Sequence, residues 1–291
     1  MSTAEATGRQ IMGEVPPQAT APPLPDEMSF LDHLEEFRWR ILKGLMGIGI
    51  GVIVAFFFSD FIMDKVLLGP AKSDFFVYQL TGINANDLDL QNRRLPGQFF
   101  TYWGTLLVVG FIIGVPALFY QLWAFILPAL EPRERAGTRF IVFNITLLFI
   151  TGVLFGYLIL TPFAVQFFSN FQISESVRND IDINAYFSAL TLWSLSSGLV
   201  FQLPMISYIL SKIGLLTPEL MIRHRKWAII VCFILAAFLT PPDPVSQIMI
   251  AVPLLLLYQL GIHISRVVNR KRDREIWGPD HEKTRKYRKK A

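Results

Sequence analysis

The stretch from Phe99 to Leu130 reads FFTYWGTLLVVGFIIGVPALFYQLWAFILPAL, and its 32 residues include no Asp, Glu, Lys, Arg or His. A helix needs about 20 apolar residues to cross the hydrocarbon core of a bilayer. Only helices and closed barrels satisfy every backbone hydrogen bond inside lipid. The stretch therefore predicts a transmembrane helix that tilts or continues past the membrane.

Five further apolar segments accompany this stretch, and the composition of the whole chain agrees with them. The chain is 52% hydrophobic and 17% charged, whereas soluble domains are about 25% charged. The sequence predicts an all-α polytopic membrane protein with six transmembrane helices, the last two of them short. The fifth segment has about 13 helical residues, or roughly 20 Å. The five further segments are 41–58, 140–174, 183–211, 227–239 and 244–265.

The distribution of Lys and Arg predicts the orientation. Assigning the tails and loops alternately to the two sides of six spans places 22 Lys and Arg on one side and 5 on the other. Because the cytoplasmic side carries the excess, both termini are predicted to be cytoplasmic.

The ends of the chain differ in composition from the predicted membrane domain at 28–268. Residues 1–27 are rich in Pro, Ala and Thr and lack a signal-peptide apolar region, which predicts a disordered cytoplasmic tail. Residues 269–291 predict a basic cytoplasmic tail that lies against anionic lipid headgroups. Between the first two spans, residues 60–98 are typical either of short helices that cap the outer face or of an ordinary loop.

Catalysis has little support in the sequence. There is one cysteine, Cys232, and the four histidines stand at no metal-ligand spacing. No zinc-protease, nucleophile-elbow or phosphate-loop motif occurs. We predict no enzyme activity, no metal, no cofactor and no nucleic-acid binding.

Acidic residues are concentrated on the predicted cytoplasmic face. Glu36 belongs to an amphipathic segment ahead of the first span, and Glu134 lies in the loop after the second. These carboxylates either pair with local arginines such as Arg38 and Arg135 or bind a cationic ligand. The second interpretation is chemically specific, because a carboxylate accepts two parallel N–H bonds from a guanidinium group.

Two polar residues at or near the spans allow two interpretations each. Gln202, just before Pro204, either bonds to a neighbouring helix of its own chain or contacts a partner helix. Asp243, in the turn before the sixth segment, either caps that helix, with Gln247 in its first turn, or has a functional role.

Several blocks in order resemble the TatC family, whose members are receptor subunits of the twin-arginine protein translocase. The first block matches at His33, Leu34, Glu36, Arg38 and Arg40, with Phe37 where the family has leucine. The second loop is similar to the family pattern at Tyr120, Gln121, Trp123, Phe125, Pro128, Leu130, Glu134 and Arg135. The likeness continues at Pro116, at 155–157 with Pro162, at 201–204 and at 240–243 with 246–247. It covers residues 28–268.

The resemblance implies a concave six-helix scaffold that binds twin-arginine signal peptides at the cytoplasmic face. It implies that His33, Glu36, Arg38, Phe125 and Glu134 bind the signal. It also implies that Gln202 and Pro204 contact the single-span partners TatA and TatB, and that Asp243 and Gln247 form a hairpin of structural or functional importance. Many family members have glutamate where this chain has Gln202.

The resemblance further implies export of folded proteins driven by the proton motive force, in the bacterial cytoplasmic (inner) membrane. The subunit would associate with copies of itself and with membrane lipids. The alternative from the residues alone is a secondary transporter of a small solute, with Gln202 at a midplane site. An intramembrane hydrolase would need a nucleophile or carboxylate dyad that the sequence does not offer.

Overall fold

A computed structural model describes residues 30–83, 85–126, 138–174, 176, 179–239 and 244–277, without the side chains of 30–33, 138–140, 239, 245, 246, 249 and 274–277. The chain divides into two compact units, Met1–Trp39 and Arg40–Ala291. The tails predicted at 1–27 and beyond Trp277 lie outside the described residues.

The described chain is mostly helical, as the apolar segments predict. Three turns of other helical type and two short strands connect the α-helices: the π-helices Ile62–Leu67 and Gly156–Leu160, the 3-10 turn Gly69–Ala71, and the strands β1 (Leu90–Gln91) and β2 (Ile181–Asp182). The α-helices are α1 (Phe30–Phe57), α2 (Ser59–Phe61), α3 (Phe76–Thr81), α4 (Gly97–Ile126), α5 (Thr138–Phe155), α6 (Thr161–Asn170), α7 (Ile183–Val200), α8 (Leu203–Lys212), α9 (Pro218–Arg223), α10 (Arg225–Leu239) and α11 (Pro244–Trp277).

Five of the six predicted segments form helices that are long and apolar enough to cross a membrane, which confirms the all-α polytopic fold. These helices are Leu34–Phe57, Gly97–Ile126, Ile141–Asn170, Ile183–Lys212 and Ile250–Asp273. The remaining segment is α10, whose 15 residues extend for about 22 Å. Helix α11 continues past Ser265, where the sequence placed the end of the apolar segment, as far as Trp277.

Polar contacts explain why α11 continues beyond its apolar part. The Ser211 hydroxyl of α8 donates to the Ser265 hydroxyl at 2.7 Å. The Asn269 side-chain amide donates to the carbonyl oxygens of Leu216 (3.0 Å) and Ser265 (2.9 Å). The Arg272 guanidinium lies 3.4 Å from the Ser211 carbonyl oxygen. These bonds hold the polar end of α11 against α8 and the loop that follows it.

The segment between the first two spans forms short helices, which confirms one of its two predicted forms. We call residues 59–81 the outer cap; it comprises α2, a π-helix, a 3-10 turn and α3. Three buried or half-buried tyrosines donate to its backbone: Tyr78 to the Pro70 carbonyl (2.7 Å), Tyr157 to the Val66 carbonyl and Tyr186 to the Leu67 carbonyl (2.8 Å). Burial also raises the pKa of Tyr78 to about 12.

Proline chemistry gives a reason for one of these bonds. Pro70 has no N–H group, so it cannot close a helical bond to the carbonyl of Val66, four residues earlier. The Tyr157 hydroxyl, from the third span, bonds that carbonyl instead. A side chain of the membrane domain thus completes the hydrogen bonding of the outer cap.

The two outer loops are also joined to each other. Strands β1 and β2 pair in parallel, with Leu90 opposite Ile181. Beside them, Arg93 forms a 3.3 Å ion pair with Asp180. Asp182 then caps α7 by accepting from the backbone N–H of Asn184 at 2.7 Å. The Asn184 side-chain amide and the backbone N–H groups at the cap hold the pKa of Asp182 below its usual value.

Helices α1 and α4 approach each other through glycines. A Cβ added to Gly51 would overlap the Gly110 carbonyl oxygen and would lie 2.8 Å from the Gly114 nitrogen. A Cβ added to Gly114 would in turn overlap Ile48. Small residues let backbones approach closely in lipid, where dispersion contacts replace the hydrophobic effect between helices.

Replacing Gly51 with alanine is expected to separate α1 from α4, because the clash is with backbone rather than with a flexible side chain. We predict a lower thermal unfolding temperature in detergent for Gly51→Ala. Gly49→Ala is the matched control, since a Cβ at Gly49 meets nothing within 4 Å. Equal unfolding temperatures for the two variants would contradict this packing.

Replacing Tyr186 with phenylalanine removes the donor to the Leu67 carbonyl while it preserves the ring. An unsatisfied buried acceptor costs about 1–3 kcal/mol, so Tyr186→Phe is expected to destabilise the outer cap. Protease cleavage within residues 59–81 should therefore become faster. Tyr120→Phe serves as the control, because that side chain is 53% exposed; equal acceleration in both variants would refute the role of the bond.

Candidate functional site

The first predicted block lies at the start of α1. Glu36 is half-buried, Arg38 is exposed, and His33 lies within the helix although its side chain is not among those described. His33 and Glu36 are three residues apart along this helix.

The second block begins at the end of α4, and its members differ in burial. Tyr120 is 53% exposed and Trp123 only 2% exposed, while Phe125 is half-buried in the last turn. Glu134 lies in the segment 127–137, outside the described residues. The joint action of Glu36 and Glu134 therefore stays a prediction from the sequence.

A buried cluster around Trp123 positions this end of α4, and the sequence did not predict its contacts. Trp123 packs with Ile145 of α5 and Met205 of α8, and half-buried residues including Phe119 and Tyr208 surround them. Ile145 and Met205 carried no signal in the sequence, because nothing in the local pattern shows which apolar residues of separate helices meet. The cluster packs the end of α4, whose last turn contains Phe125, against the third and fourth spans.

Gln202 lies beside this cluster, at the break between α7 and α8. Its side chain is 9% exposed, and its amide Nε2 donates to the Ile145 carbonyl at 3.3 Å. This is the bond to a neighbouring helix that the sequence allowed as one interpretation. Pro204, in the first turn of α8, is fully buried. Contact of these residues with a partner helix stays a prediction.

The predicted hairpin residues are described in part. The Gln247 amide in the first turn of α11 donates to the Phe233 carbonyl of α10 at 3.2 Å. Gln247 thus fastens the short α10 to the last helix. Asp243 lies within 240–243, outside the described residues, so its role as a cap or functional group stays a prediction.

The chemistry of these residues suits binding. Across the part of the chain that the structure describes, no three His, Cys, Asp or Glu side chains are placed to hold a metal ion. Glu36 and Arg38 offer charged groups at the start of the first span, and Phe125 offers an aromatic ring at the end of the second. Carboxylates and aromatic rings of this kind recognise cationic and apolar groups of a peptide.

Comparison with known proteins gives one consistent result. The family model described as Sec-independent protein translocase protein (TatC) matches residues 32–253. The chain is 38% identical over 261 residues to the Sec-independent protein translocase protein TatC of Blattabacterium sp. subsp. Periplaneta americana, covering 85% of this chain and 98% of that protein. It is 33% identical to TatCy of Bacillus subtilis over 246 residues, covering 84% and 92% respectively.

Solved structures agree with the sequence comparison. A crystal structure of the twin arginine translocase receptor TatC superposes with a TM-score of 0.66 at 30% identity, covering 81% of this chain and 99% of that one. A second structure of that receptor in the detergent DDM gives a TM-score of 0.67 at 29% identity, covering 80% and 99%. The chain is therefore a multi-pass membrane protein that belongs to the TatC family of Sec-independent protein translocase proteins.

Proposed function

We propose that this chain is the translocase subunit that receives twin-arginine signal peptides and, with partner subunits, exports folded proteins. The observation that carries the proposal is the likeness, over about four-fifths of the chain, to a crystal structure of a twin arginine translocase receptor. The family match at residues 32–253 includes both acidic blocks. It favours a translocase over the alternative of a small-solute secondary transporter.

In the proposed mechanism Glu36 and Glu134 each bind one guanidinium group of the signal's arginine pair. Such charge-assisted bonds are short and geometrically defined, so they distinguish arginine from lysine. Phe125 contacts the apolar part of the signal, and His33 and Arg38 shape the surroundings of Glu36. Arg38 is exposed, whereas Glu36 and Phe125 are half-buried and the Oε2 atom of Glu36 is itself buried.

Partner assembly takes place in the membrane in this proposal. TatA and TatB would contribute single helices that meet the chain near Gln202 and Pro204, and copies of the chain would associate with one another. The proton motive force would supply the energy, as the resemblance to the TatC family implies. The proposed location is the bacterial inner membrane, with both termini in the cytoplasm.

Replacing Glu134 with alanine is expected to abolish binding of an Arg-Arg signal peptide while the protein stays folded, because one guanidinium loses its carboxylate. The measurement is site-specific crosslinking of a labelled signal peptide to the purified chain in detergent. Glu131→Ala, in the same loop and of the same charge, should leave crosslinking intact.

Two results would contradict this assignment. The first is undiminished crosslinking in Glu134→Ala. The second is equal loss in Glu131→Ala, which would indicate a general requirement for negative charge in the loop. A peptide with Lys-Lys in place of Arg-Arg should bind more weakly to the unchanged protein, because lysine cannot form the bidentate pair.

Replacing Gln202 with leucine is expected to reduce co-purification of TatA and TatB, because the side chain loses its hydrogen-bonding groups. Gln202→Glu is the matched variant, since it keeps an acceptor and introduces the residue that the family resemblance gives for many members, and it should retain the partners. Thermal unfolding of both variants measures the stability lost with the bond to Ile145, which is worth about 1 kcal/mol. That measurement separates a loss of stability from a loss of partner contact. Unchanged co-purification in Gln202→Leu would exclude the contact.

A further inference from the structure

Trp123 carries a buried hydrogen-bond donor for which the described part of the chain provides no acceptor. Its side chain is 2% exposed, and its indole Nε1–H is buried without a hydrogen-bond partner. A buried tryptophan normally places this N–H against an acceptor. Because an unpaired buried donor destabilises a protein, each one calls for a physical explanation.

Other buried donors of the membrane domain are paired, including the one nearest to this cluster. The Gln202 amide donates to the Ile145 carbonyl at 3.3 Å, and the buried Tyr186 hydroxyl donates to the Leu67 carbonyl at 2.8 Å. Trp123 packs against the same Ile145, whose carbonyl already accepts from Gln202. The packing around Trp123 therefore fixes the indole by shape and leaves its donor available.

The position of Trp123 brings this donor close to the proposed signal site. Trp123 stands two residues before Phe125, in the part of α4 that ends at Ile126. The hydroxyl of Tyr208, beside the cluster, already accepts from the Lys212 ammonium at 3.4 Å. Because the residues packed around the cluster are themselves half-buried, one layer of side chains separates the indole from the surface. These residues are Phe119, Ile141, Val142, Tyr208 and Ile209.

A signal peptide has the complementary requirement. Its apolar segment enters a layer without water, where every backbone carbonyl needs a donor. Carbonyls of an extended stretch, and those in the last turn of a helix, find no donor within the peptide itself. A donor and an acceptor that are each unpaired in the free molecules form a bond on binding without breaking another, so the bond contributes to affinity.

We propose that Trp123 is a further binding residue of the signal site, and that its Nε1–H donates to a backbone carbonyl of the signal peptide next to the segment that contacts Phe125. This inference rests on the proposed function and adds recognition of the peptide backbone to recognition of the arginine pair. Every peptide has backbone carbonyls, so the bond raises affinity for all signals. Selection for arginine stays with the carboxylates.

The test replaces Trp123 in the full chain with benzothienylalanine, which keeps the shape of the indole and has sulfur in place of the N–H group. Equilibrium binding of a labelled Arg-Arg signal peptide in detergent should weaken about fivefold, the effect of one lost hydrogen bond. The unfolding temperature of the free variant should not fall, because the free chain loses no bond. The preference for Arg-Arg over Lys-Lys peptides should also be unchanged. The same replacement at Trp103, on α4 and 42% exposed, is the control and should leave affinity unchanged.

Three outcomes would overturn the inference. Equal peptide affinity in the wild type and the Trp123 variant would show that the donor does not meet the peptide. A lower unfolding temperature of the free Trp123 variant would show that the N–H already has an acceptor, such as a water or a carbonyl of 127–137. Equal loss of affinity in the Trp103 variant would make the effect a general one of indole chemistry.

The wild type separates this inference from the proposed function. Selective binding of the Arg-Arg peptide by the wild type, with no effect of the Trp123 replacement, would reject the role of Trp123 alone. Wild-type protein that does not distinguish Arg-Arg from Lys-Lys peptides would reject the proposed function, and the inference with it.

Discussion

Backbone hydrogen bonding inside a water-free layer is the constraint on which this structure depends. Where helices run without proline, as in α7, the backbone satisfies itself. In the outer cap, where a π-helix and Pro70 interrupt the α-helical pattern, side chains bond to backbone carbonyls. Tyr157 and Tyr186 bond to carbonyls in the outer cap, and buried Gln202 finds a carbonyl on α5. These few side chains therefore stabilise the fold by satisfying backbone carbonyls, a role that the residue type alone does not predict.

Different contacts stabilise the two sides of the membrane domain. On the outer side, tyrosine bonds, the β1–β2 pairing and the Arg93–Asp180 ion pair join two loops and two spans. On the inner side, the Trp123 cluster connects the end of α4 to α5 and α8. Rigid support of this kind suits a receptor, since residues held in position lose less entropy when a peptide binds.

The sequence alone singles out candidate site residues, because charge and polarity are conspicuous in an apolar chain. Glu36, Glu134 and Gln202 stand out by their chemical type, and the blocks around them resemble one family. The resemblance included Trp123, but its burial against Ile145 and Met205 was not predictable, because a buried apolar residue in a membrane helix looks like its lipid-facing neighbours. The tyrosine bonds were also missed, since their acceptors are backbone carbonyls up to 119 residues away in the chain.

The sequence by itself determined the class of protein, the number of apolar segments, the orientation and the family, because these depend on local composition and on the order of motifs. The tertiary structure decided which polar groups meet. It showed that Gln202 bonds to Ile145, that Asn269 extends α11 along α8, and that glycines bring α1 against α4. The physical reason is that such contacts join residues far apart in the chain, and local patterns carry no information about that pairing.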